Sequence, residues 1–193
     1  MIFAKPPLIG LAKTRLARSL GKAEARRIAR FTMGKTLRVV QDPRWQTYLY
    51  ATPDTALSEN FGGLWPAHLA RRSQGQGDLT DRLNKGLAEA PRGQILFIGA
   101  DAPDISRHLV WRAFSMLRNH DAVFGPASDG GFWLFGLNVR HRLRSPFLPV
   151  RWSGPHALAD VERNLGAVRI AKLPTLIDID TKEDWMNWRR SAN

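Results

Sequence analysis

The sequence contains no cysteine, which excludes disulfide bonds and thiolate metal sites. No stretch approaches the roughly 18 consecutive apolar residues that a membrane-spanning helix requires. The apolar part of residues 1–5 is too short for a secretory signal peptide, and its charge follows the apolar part instead of preceding it. Together these absences predict a cytoplasmic protein without a membrane association.

Acidic residues are also scarce, since 17 Asp and Glu stand against 29 Lys and Arg and give a net charge of +12. Such an excess attracts the phosphates of nucleotides or of nucleic acids, but it is also typical of solvated helix surfaces. A nucleic-acid-binding module would interleave aromatic and basic residues on an exposed face. Here the aromatic residues cluster in apolar runs such as residues 132–135, so we do not expect a nucleic-acid partner.

The distribution of apolar residues along the 193-residue chain predicts alternating strands and helices. The length fits a single domain at residues 1–193, and no repeat or linker divides it. The pattern predicts strands at residues 2–4, 46–51, 95–98, 122–124, 132–137 and 168–172, helices near residue 14 and at residues 22–40, 79–90, 106–117, 155–165 and from 181 onward, and an Arg- and Pro-rich loop at residues 140–150. This alternation predicts a three-layer α/β/α sandwich with a mostly parallel central sheet.

A carboxylate follows the apolar strand at residues 95–98, in the sequence Gly99-Ala100-Asp101. Open α/β folds bind ligands at the carboxyl ends of their strands, so Asp101 is a candidate ligand for a divalent cation. Ser106 is a typical cap for the apolar helical pattern that follows it. The competing interpretation of the acidic residues is that Asp101 or Asp104 caps this helix, and Asp104 is the better candidate of the two.

The loop after the first predicted strand carries Gly10, Lys13 and Arg15. Glycine permits close approach of the backbone to a ligand, whereas Lys13 and Arg15 offer positive charge and hydrogen-bond donors to a phosphate. A helix that begins near Thr14 would add its N-terminal amide groups. A basic surface loop is the alternative interpretation. If the loop binds phosphate, Lys13 should lie opposite Asp101 across a single crevice.

Two further acidic segments are candidates for substrate binding. The carboxylate in Asp129-Gly130-Gly131 could accept a hydrogen bond from a substrate hydroxyl or serve as a base, although Asp-Gly is also common in hairpin turns. Asp178 and Asp180 lie on the same face of an extended segment, so one of them could join Asp101 around a cation. Asp180 or Thr181 could instead cap the last helix.

Several segments that match a known family occur together and in the same order. They are Lys5-Pro6-Pro7, Gly10, Lys13-Thr14-Arg15-Leu16, Gln76-Gly77-Asp78-Leu79, Arg82, Gly99-Ala100-Asp101-Ala102-Pro103, Gly125-Pro126-Ala127, Asp129-Gly130-Gly131, Trp152-Ser153, Asp178-Ile179-Asp180-Thr181 and Asp184. In this combination the chain resembles the small glycosyltransferases found beside radical-SAM and selenoprotein-type genes, some of them assigned to arsenosugar biosynthesis. More distantly it is similar to phospholactate guanylyltransferase and molybdenum-cofactor guanylyltransferase.

This resemblance implies the GT-A, nucleotide-diphospho-sugar transferase fold. It implies that Lys13 and Arg15 face the nucleotide phosphates, that residues 76–82 lie near the base or ribose, and that Asp101 holds Mg²⁺ or Mn²⁺. It further implies that residues 129–131 border the acceptor. The expected nucleotide-binding residues are therefore Lys5, Gly10, Lys13, Thr14, Arg15, Gln76, Asp78 and Arg82. The expected acceptor-binding residues are Asp129, Gly130, Gly131 and Trp152, the last of which could instead be half buried in the core.

We therefore expect a metal-dependent transferase that uses a nucleotide donor, preferably a nucleoside-diphosphate sugar, and a small-molecule acceptor. The expected catalytic residues are Asp101, Asp129 and Lys13, and the expected metal ligands are Asp101 and Asp180. The first alternative is an enzyme that uses a nucleoside triphosphate, as guanylyltransferases do. The second alternative is a non-catalytic protein that binds nucleotides or nucleic acid.

Three features depart from the family pattern. The first strand is short, as a misplaced start codon would make it, and part of the nucleotide floor would then be incomplete. Thr80 stands where the family usually has glycine, and Phe132 stands where tyrosine is usual. We expect the first two features to weaken nucleotide binding, and Phe132 to cost only a hydroxyl group.

Overall fold

The computed structural model describes residues 1–139 and 145–191. Its elements, in chain order, are β1 (Ile2–Ala4), α1 (Thr14–Leu20), α2 (Lys22–Val39), β2 (Tyr48–Ala51), β3 (Ala70–Ser73), α3 (Leu79–Ala88), β4 (Gly93–Gly99), α4 (Arg107–Met116), β5 (Ala122–Pro126), β6 (Phe132–Val139), α5 (Ala157–Leu165), β7 (Ile170–Lys172) and α6 (Lys182–Ser191). A short 3-10 helix at Asp54–Ala56 follows β2. The loop predicted at residues 140–150 lies partly outside the described residues. In the described part of the chain, no helix is long and apolar enough to cross a bilayer.

The seven strands form one sheet in the order β3-β2-β1-β4-β6-β5-β7. Neighbouring strands run parallel except at β6, which is antiparallel to both β4 and β5. The reversal arises because a tight turn joins β5 directly to β6, whereas parallel neighbours require longer crossover connections. The predicted mostly parallel sheet is confirmed.

Helices cover both faces of this sheet, because successive residues of a strand point to opposite sides. In β4, Leu96 and Ile98 pack in one apolar cluster with residues of α2 and α4. Ile95 and Phe97 of the same strand pack in a second cluster with residues of α3 and α5. The predicted three-layer α/β/α sandwich is therefore confirmed.

Strand β3 is an element that the apolar pattern does not predict, since its sequence is Ala-Arg-Arg-Ser. It lies at the edge of the sheet beside β2, where side chains need not be apolar. Arg71 instead donates hydrogen bonds to the carbonyl oxygens of Leu57 and Glu59, at 2.9 and 2.5 Å. The polar composition of β3 thus follows from its edge position.

The caps of α4 and α6 are formed by residues that the sequence predicts, but the predicted capping role of Asp104 is not observed. The Oγ of Ser106 accepts a hydrogen bond from a backbone N–H in the first turn of α4, at 3.2 Å. At α6, Thr181 and Asp184 form a reciprocal pair of side-chain-to-backbone bonds. The expectation that Asp104 caps α4 is wrong, because Ser106 holds that position. The carboxylate of Asp104 instead accepts a hydrogen bond from the indole N–H of Trp188 in α6, at 2.9 Å.

One edge of the sheet collects the loops that carry the candidate residues. The six parallel strands β1, β2, β3, β4, β5 and β7 end at this edge, and the antiparallel strand β6 begins there. After β1 the chain adds β2 and β3 on one side and then returns to add β4 on the other side, so a crevice opens beyond the end of β1. The loops after β1, β3, β4, β5 and β7 meet around this crevice.

Candidate functional site

Lys13 lies between two carboxylates in the crevice beyond β1. Its Nζ is 2.6 Å from Oδ1 of Asp101 and 2.9 Å from Oδ1 of Asp180. The Lys13 side chain is only 4% exposed, whereas both carboxylate side chains are 44% exposed. The backbone N–H of Ile179 donates to the carbonyl oxygen of Asp101 at 3.2 Å and so joins the two acidic loops. The structure thus brings Lys13 and Asp101 together, as the sequence predicts.

The backbone and the charge of Lys13 are both unusual. Its φ of 55° and ψ of 44° place it in the left-handed region, immediately before α1. That conformation costs a residue other than glycine about 1 kcal/mol, and such strain is concentrated at functional sites. Burial lowers the pKa of Lys13, but Asp101 and Asp180 raise it by more, so the pKa lies above its ordinary value. Lys13 is therefore a permanent positive charge at the crevice.

A cavity of about 590 Å³, which we term the basic cavity, extends from Lys13 toward α3. The predicted site residues that line it are Lys5, Lys13, Thr14, Arg15, Asp78, Arg82, Asp101 and Asp180. Gly10 and Gln76, which were also expected to bind the nucleotide, are not among the described residues that line it. The φ of +85° at Gly10 shows instead that the loop conformation requires a glycine there.

Gln74 lines the basic cavity without having been indicated by the sequence. Its side chain is buried and its amide nitrogen donates to the carbonyl oxygens of Ala4 and Tyr50, at 3.1 and 2.8 Å. These bonds fasten the ends of β1 and β2 beneath the cavity. Because Gln74 follows the unpredicted strand β3, no sequence pattern could indicate it.

The N-terminus of α3 faces the basic cavity. Asp78 caps this helix in a reciprocal pair with Asp81, with nitrogen-to-oxygen distances of 3.1 and 3.0 Å. Gly77 permits this arrangement, because its φ is +90° and a Cβ there would collide with the Asp81 carboxylate. Asp78, which was expected to bind the nucleotide, therefore also has a structural role.

Arg82 lies one turn into α3 and lines the same cavity. Its Nε is buried and has no hydrogen-bond partner among the described residues. Buried polar atoms are normally paired, and guanidinium groups bind phosphates and carboxylates through planar pairs of donors. The orphaned donor of Arg82 therefore indicates an anionic ligand.

A second cavity, which we term the acidic cavity, has a volume of about 230 Å³ and lies beside the first. The two cavities share Phe3, Leu79 and Ser153 as lining residues, so they adjoin at these side chains. The walls of the acidic cavity are mainly apolar, and its ionisable groups are the carboxyl groups of Asp129 and Asp178. A molecule bound in one cavity would thus lie next to a molecule bound in the other.

The turn Asp129-Gly130-Gly131 joins β5 to β6 and has the hairpin role that its sequence also allows. The Asp129 Oδ1 accepts a hydrogen bond from the Gly131 N–H at 2.9 Å. Asp129 and Gly131 line the acidic cavity. Gly130, expected to border the acceptor, is not among the lining residues, because it packs against the backbone of Pro155. With its φ of +87°, a Cβ at Gly130 would lie 2.5 Å from that backbone.

Asp178 is the other carboxylate of the acidic cavity. Its Oδ1 is buried and has no hydrogen-bond partner among the described residues. Burial raises the pKa of Asp178 to about 8; the negative charges of Asp101, Asp180 and Asp129 add to this effect, and Lys13 opposes it. The sequence predicted that Asp178 or Asp180 would join Asp101. Asp180 and Asp101 both pair with Lys13, whereas Asp178 lines the acidic cavity.

Trp152 forms one wall of the acidic cavity and is held in place by Thr80. Its indole N–H donates to the Thr80 hydroxyl at 2.7 Å, and the ring of Phe132 packs against it edge-on, with centroids 6.2 Å apart. The neighbouring residue Arg151 forms two hydrogen bonds of 2.8 Å with the buried carboxylate of Asp160. Thr80 and Phe132, which both depart from the family pattern, thus contact the same tryptophan.

The Thr80→Val variant should lower the free energy of unfolding by about 1 to 2 kcal/mol, because it leaves the Trp152 N–H without its acceptor while preserving the shape of the side chain. Urea denaturation measures this change, and the near-UV circular dichroism reports the altered tryptophan environment. Thr80→Ser, which keeps the hydroxyl, is the matched control. Equal stability of the valine variant and the wild type would show that the hydrogen bond does not hold Trp152.

Two carboxylates are suitably placed for the Mg²⁺ or Mn²⁺ that the resemblance implies. The Oδ1 atoms of Asp101 and Asp180 approach the same ammonium nitrogen, so they converge on one cationic position. Within residues 1–139 and 145–191, no group of three or more His, Cys, Asp or Glu side chains is arranged to hold a metal ion. Mg²⁺ is commonly held by one or two carboxylates together with substrate phosphates and water. The Lys13 ammonium group occupies the position on which the two carboxylates converge, so the pair would hold a divalent cation only with that ammonium group turned toward the substrate phosphates.

The structure is similar to a protein of Desulfovibrio desulfuricans G20 that is provisionally named a nucleotide-diphospho-sugar transferase. The TM-score is 0.89 at 26% sequence identity, and the match covers 100% of this chain and 86% of that chain. A nucleotidyl transferase of Methanothermobacter matches with a TM-score of 0.60 at 15% identity, over 99% and 97% of the two chains. A cytidylyltransferase of Leptospira borgpetersenii matches with a TM-score of 0.59 at 13% identity, over 97% and 83%. The last two similarities establish the fold alone.

A comparison with curated proteins finds no match to this sequence. A bacterial protein family, described as an uncharacterized protein conserved in bacteria (DUF2064), matches residues 36–154. This segment includes Arg82, Asp101 and Asp129 and thus parts of both cavities, whereas Lys13 and Asp180 lie outside it. Because the match extends over more than half of the sequence, the chain belongs to the DUF2064 family.

Proposed function

We propose that this protein is an enzyme that transfers a group from a nucleotide donor, bound in the basic cavity, to a small-molecule acceptor, bound in the acidic cavity. The observation that carries the proposal is the position of Lys13, a buried cation held in a strained backbone conformation between two carboxylates. The unpartnered Nε of Arg82 supports an anionic ligand in the same cavity. The similarity to the Desulfovibrio protein, which is named for nucleotide-diphospho-sugar transfer, supports the same class of reaction.

We favour a nucleoside-diphosphate sugar as the donor. The resemblance of the sequence motifs to the small glycosyltransferases found beside radical-SAM genes and the name of the Desulfovibrio protein both support a sugar donor. A nucleoside triphosphate is the second candidate, because the ammonium group of Lys13 suits the charge that develops on an α-phosphate during nucleotidyl transfer. The two reactions need the same phosphate site and differ in the bond that breaks.

In the favoured reaction, an oxygen of the acceptor forms a bond to the anomeric carbon of the sugar. The bond between that carbon and the diphosphate oxygen breaks, and its electron pair leaves with the nucleoside diphosphate. The acceptor hydroxyl gives its proton to the carboxylate of Asp129. Lys13 and Arg82 bind the diphosphate and neutralise its charge. A divalent cation held by Asp101 and Asp180 would supply further stabilisation of the leaving diphosphate.

Nucleotide binding is testable by thermal unfolding of the wild type and of Asp101→Ala with UDP-glucose or GTP, each with and without Mn²⁺. We expect one of the nucleotides to raise the wild-type Tm by roughly 5 °C or more at a hundredfold excess over its Kd. The shift should require Mn²⁺ and should be lost in Asp101→Ala. Asp121→Asn is the control, because Asp121 pairs with Arg169 before β5, at the opposite end of that strand from Asp129.

The products then separate the two reactions. Release of a nucleoside diphosphate in the presence of an acceptor identifies glycosyl transfer, and release of pyrophosphate identifies nucleotidyl transfer. If the wild type and Asp101→Ala respond alike to every nucleotide, the assignment of Asp101 is wrong.

A further inference from the structure

We propose that the acidic cavity selects an acceptor that is uncharged or cationic and partly apolar, and that Asp178, together with Asp129, accepts hydrogen bonds from its hydroxyl or ammonium groups. The identification of this ligand as the acceptor rests on the proposed function. The selectivity of the cavity is a separate property and is argued from its own residues.

The charge of the acidic cavity is opposite to that of the protein. The chain has a net charge of +12, yet none of the described residues that line this cavity is Lys or Arg. Its ionisable groups are the two acids Asp129 and Asp178. The adjoining basic cavity contains Lys5, Lys13, Arg15 and Arg82 together with Asp78, Asp101 and Asp180. Among the described residues, the basic cavity thus offers cationic partners to an anionic group, and the acidic cavity offers none.

A phosphorylated or carboxylated acceptor would be disfavoured in this environment. It would lose part of its hydration on entering a cavity with apolar walls, and it would gain no cationic partner there. It would also be repelled by the carboxylate of Asp129. A hydroxyl or an ammonium group, in contrast, has protons to donate to the carboxyl oxygens of Asp129 and Asp178.

Asp178 is the residue that most directly requires such a ligand. Asp178 lines the wall of the acidic cavity, and its Oδ1 is buried and has no donor among the described residues. Because buried polar atoms are normally paired, we infer that the ligand supplies the missing donor. Asp129, whose Oδ1 already accepts the Gly131 N–H, has a second carboxylate oxygen to offer.

The apolar part of the ligand follows from the cavity walls. Phe132 and Trp152 form an edge-on aromatic pair at this cavity, and Leu83 lies beside them. The volume of about 230 Å³ suits a group of the size of one substituted aromatic ring or one sugar ring. Aromatic walls of this kind bind the flat faces of such rings. The Thr80 hydrogen bond fixes the indole of Trp152 for this contact.

A set of matched small ligands tests the selectivity on the full chain without any nucleotide. Benzyl alcohol, benzylamine and benzoate share one ring and differ in charge, and benzyl phosphate adds the phosphorylated case. The indole ¹⁵N–H signal of Trp152, assigned with Trp152→Phe, reports binding by NMR. We expect the alcohol and the amine to bind at least tenfold more tightly than either anion.

The two acidic residues should account for this preference. In Asp129→Asn, at an exposed position where folding is not at risk, the preference for the amine over benzoate should fall at least threefold. Asp178→Ala, which removes the unpartnered acceptor, should weaken the binding of the alcohol and of the amine at least threefold. Asp121→Asn removes one negative charge elsewhere and should leave the preference unchanged. Anions that bind as tightly as the alcohol, or an indole signal that no ligand shifts at tens of millimolar, would overturn the proposal.

Binding of UDP-glucose and GTP to the same samples separates this inference from the proposed function. If a nucleotide binds but the anionic ligands are preferred in the acidic cavity, the inference on the acceptor fails and the transferase proposal stands. If no nucleotide binds while the neutral and cationic ligands are preferred, the transferase proposal fails and the selectivity of the cavity stands.

Discussion

Replacing Lys13 by alanine is expected to lower kcat/KM of the proposed transfer by about 100- to 1000-fold, the effect typical of losing one preorganised group that stabilises developing charge. Lys13 is the buried cation nearest to both Asp101 and Asp180. Without it, an incoming diphosphate would meet two carboxylates with no ammonium group between them. Steady-state kinetics with the donor identified by thermal unfolding measures this loss.

Three further variants separate the charge of Lys13 from its backbone conformation. Lys22→Ala removes an exposed charge at the start of α2 and should leave kcat/KM unchanged. Lys13→Gly should be as inactive as Lys13→Ala but more stable by about 1 kcal/mol, because glycine adopts a φ of 55° without strain. Lys13→Arg keeps the charge and should retain part of the activity. An alanine variant with wild-type kcat/KM would show that Lys13 does not take part in the reaction.

Asp178→Asn is expected to stabilise the protein at pH 8 by roughly 2 to 4 kcal/mol and to have little effect at pH 4. In the folded protein, burial raises the pKa of Asp178 to about 8, against an ordinary value of 3.8. Between these two pH values, the carboxyl group of Asp178 keeps its proton in the folded chain and has lost it in the unfolded chain. The free energy of unfolding therefore falls as the pH rises through this window, and asparagine removes that dependence.

Urea denaturation between pH 4 and pH 9 measures the effect, with a chelator present to keep cations away from the carboxylates. The curve of the wild type should descend relative to that of Asp178→Asn as the pH rises and should run parallel to it above about pH 8. Asp121→Asn serves as the control for a carboxylate outside both cavities. Parallel curves of Asp178→Asn and the wild type over the whole range would show that the Asp178 carboxyl titrates normally.

The sequence predicted the layered fold because local patterns report burial. In β4, four consecutive apolar residues indicate a strand that is covered on both faces, and the structure packs them alternately into two clusters. The same reasoning failed for β3, since its arginines lie at an edge that needs no apolar side chains. It also could not indicate the reversed direction of β6, which depends on a pairing between strands.

The candidate site, like the fold, could be predicted from the sequence only in part. The position of Asp101 at the end of an apolar strand, and of Lys13 after the first strand, predicted their encounter at one edge of the sheet. The structure added what depends on contacts between distant segments. Trp152 and Thr80 are 72 residues apart, and the missing partner of Asp178 is visible only once its surroundings are known.

The sequence by itself determined which segments form strands and helices and which strand ends carry charge, because periodicity and chain order are local properties. Only the tertiary structure decided that, among the described residues, one cavity is lined by cationic as well as acidic side chains and its neighbour by acidic ones without Lys or Arg, although the chain as a whole is strongly basic. The net charge follows from the sequence alone. The effect of a charged group on a ligand depends on the distance between the two and on the water between them, and folding sets both.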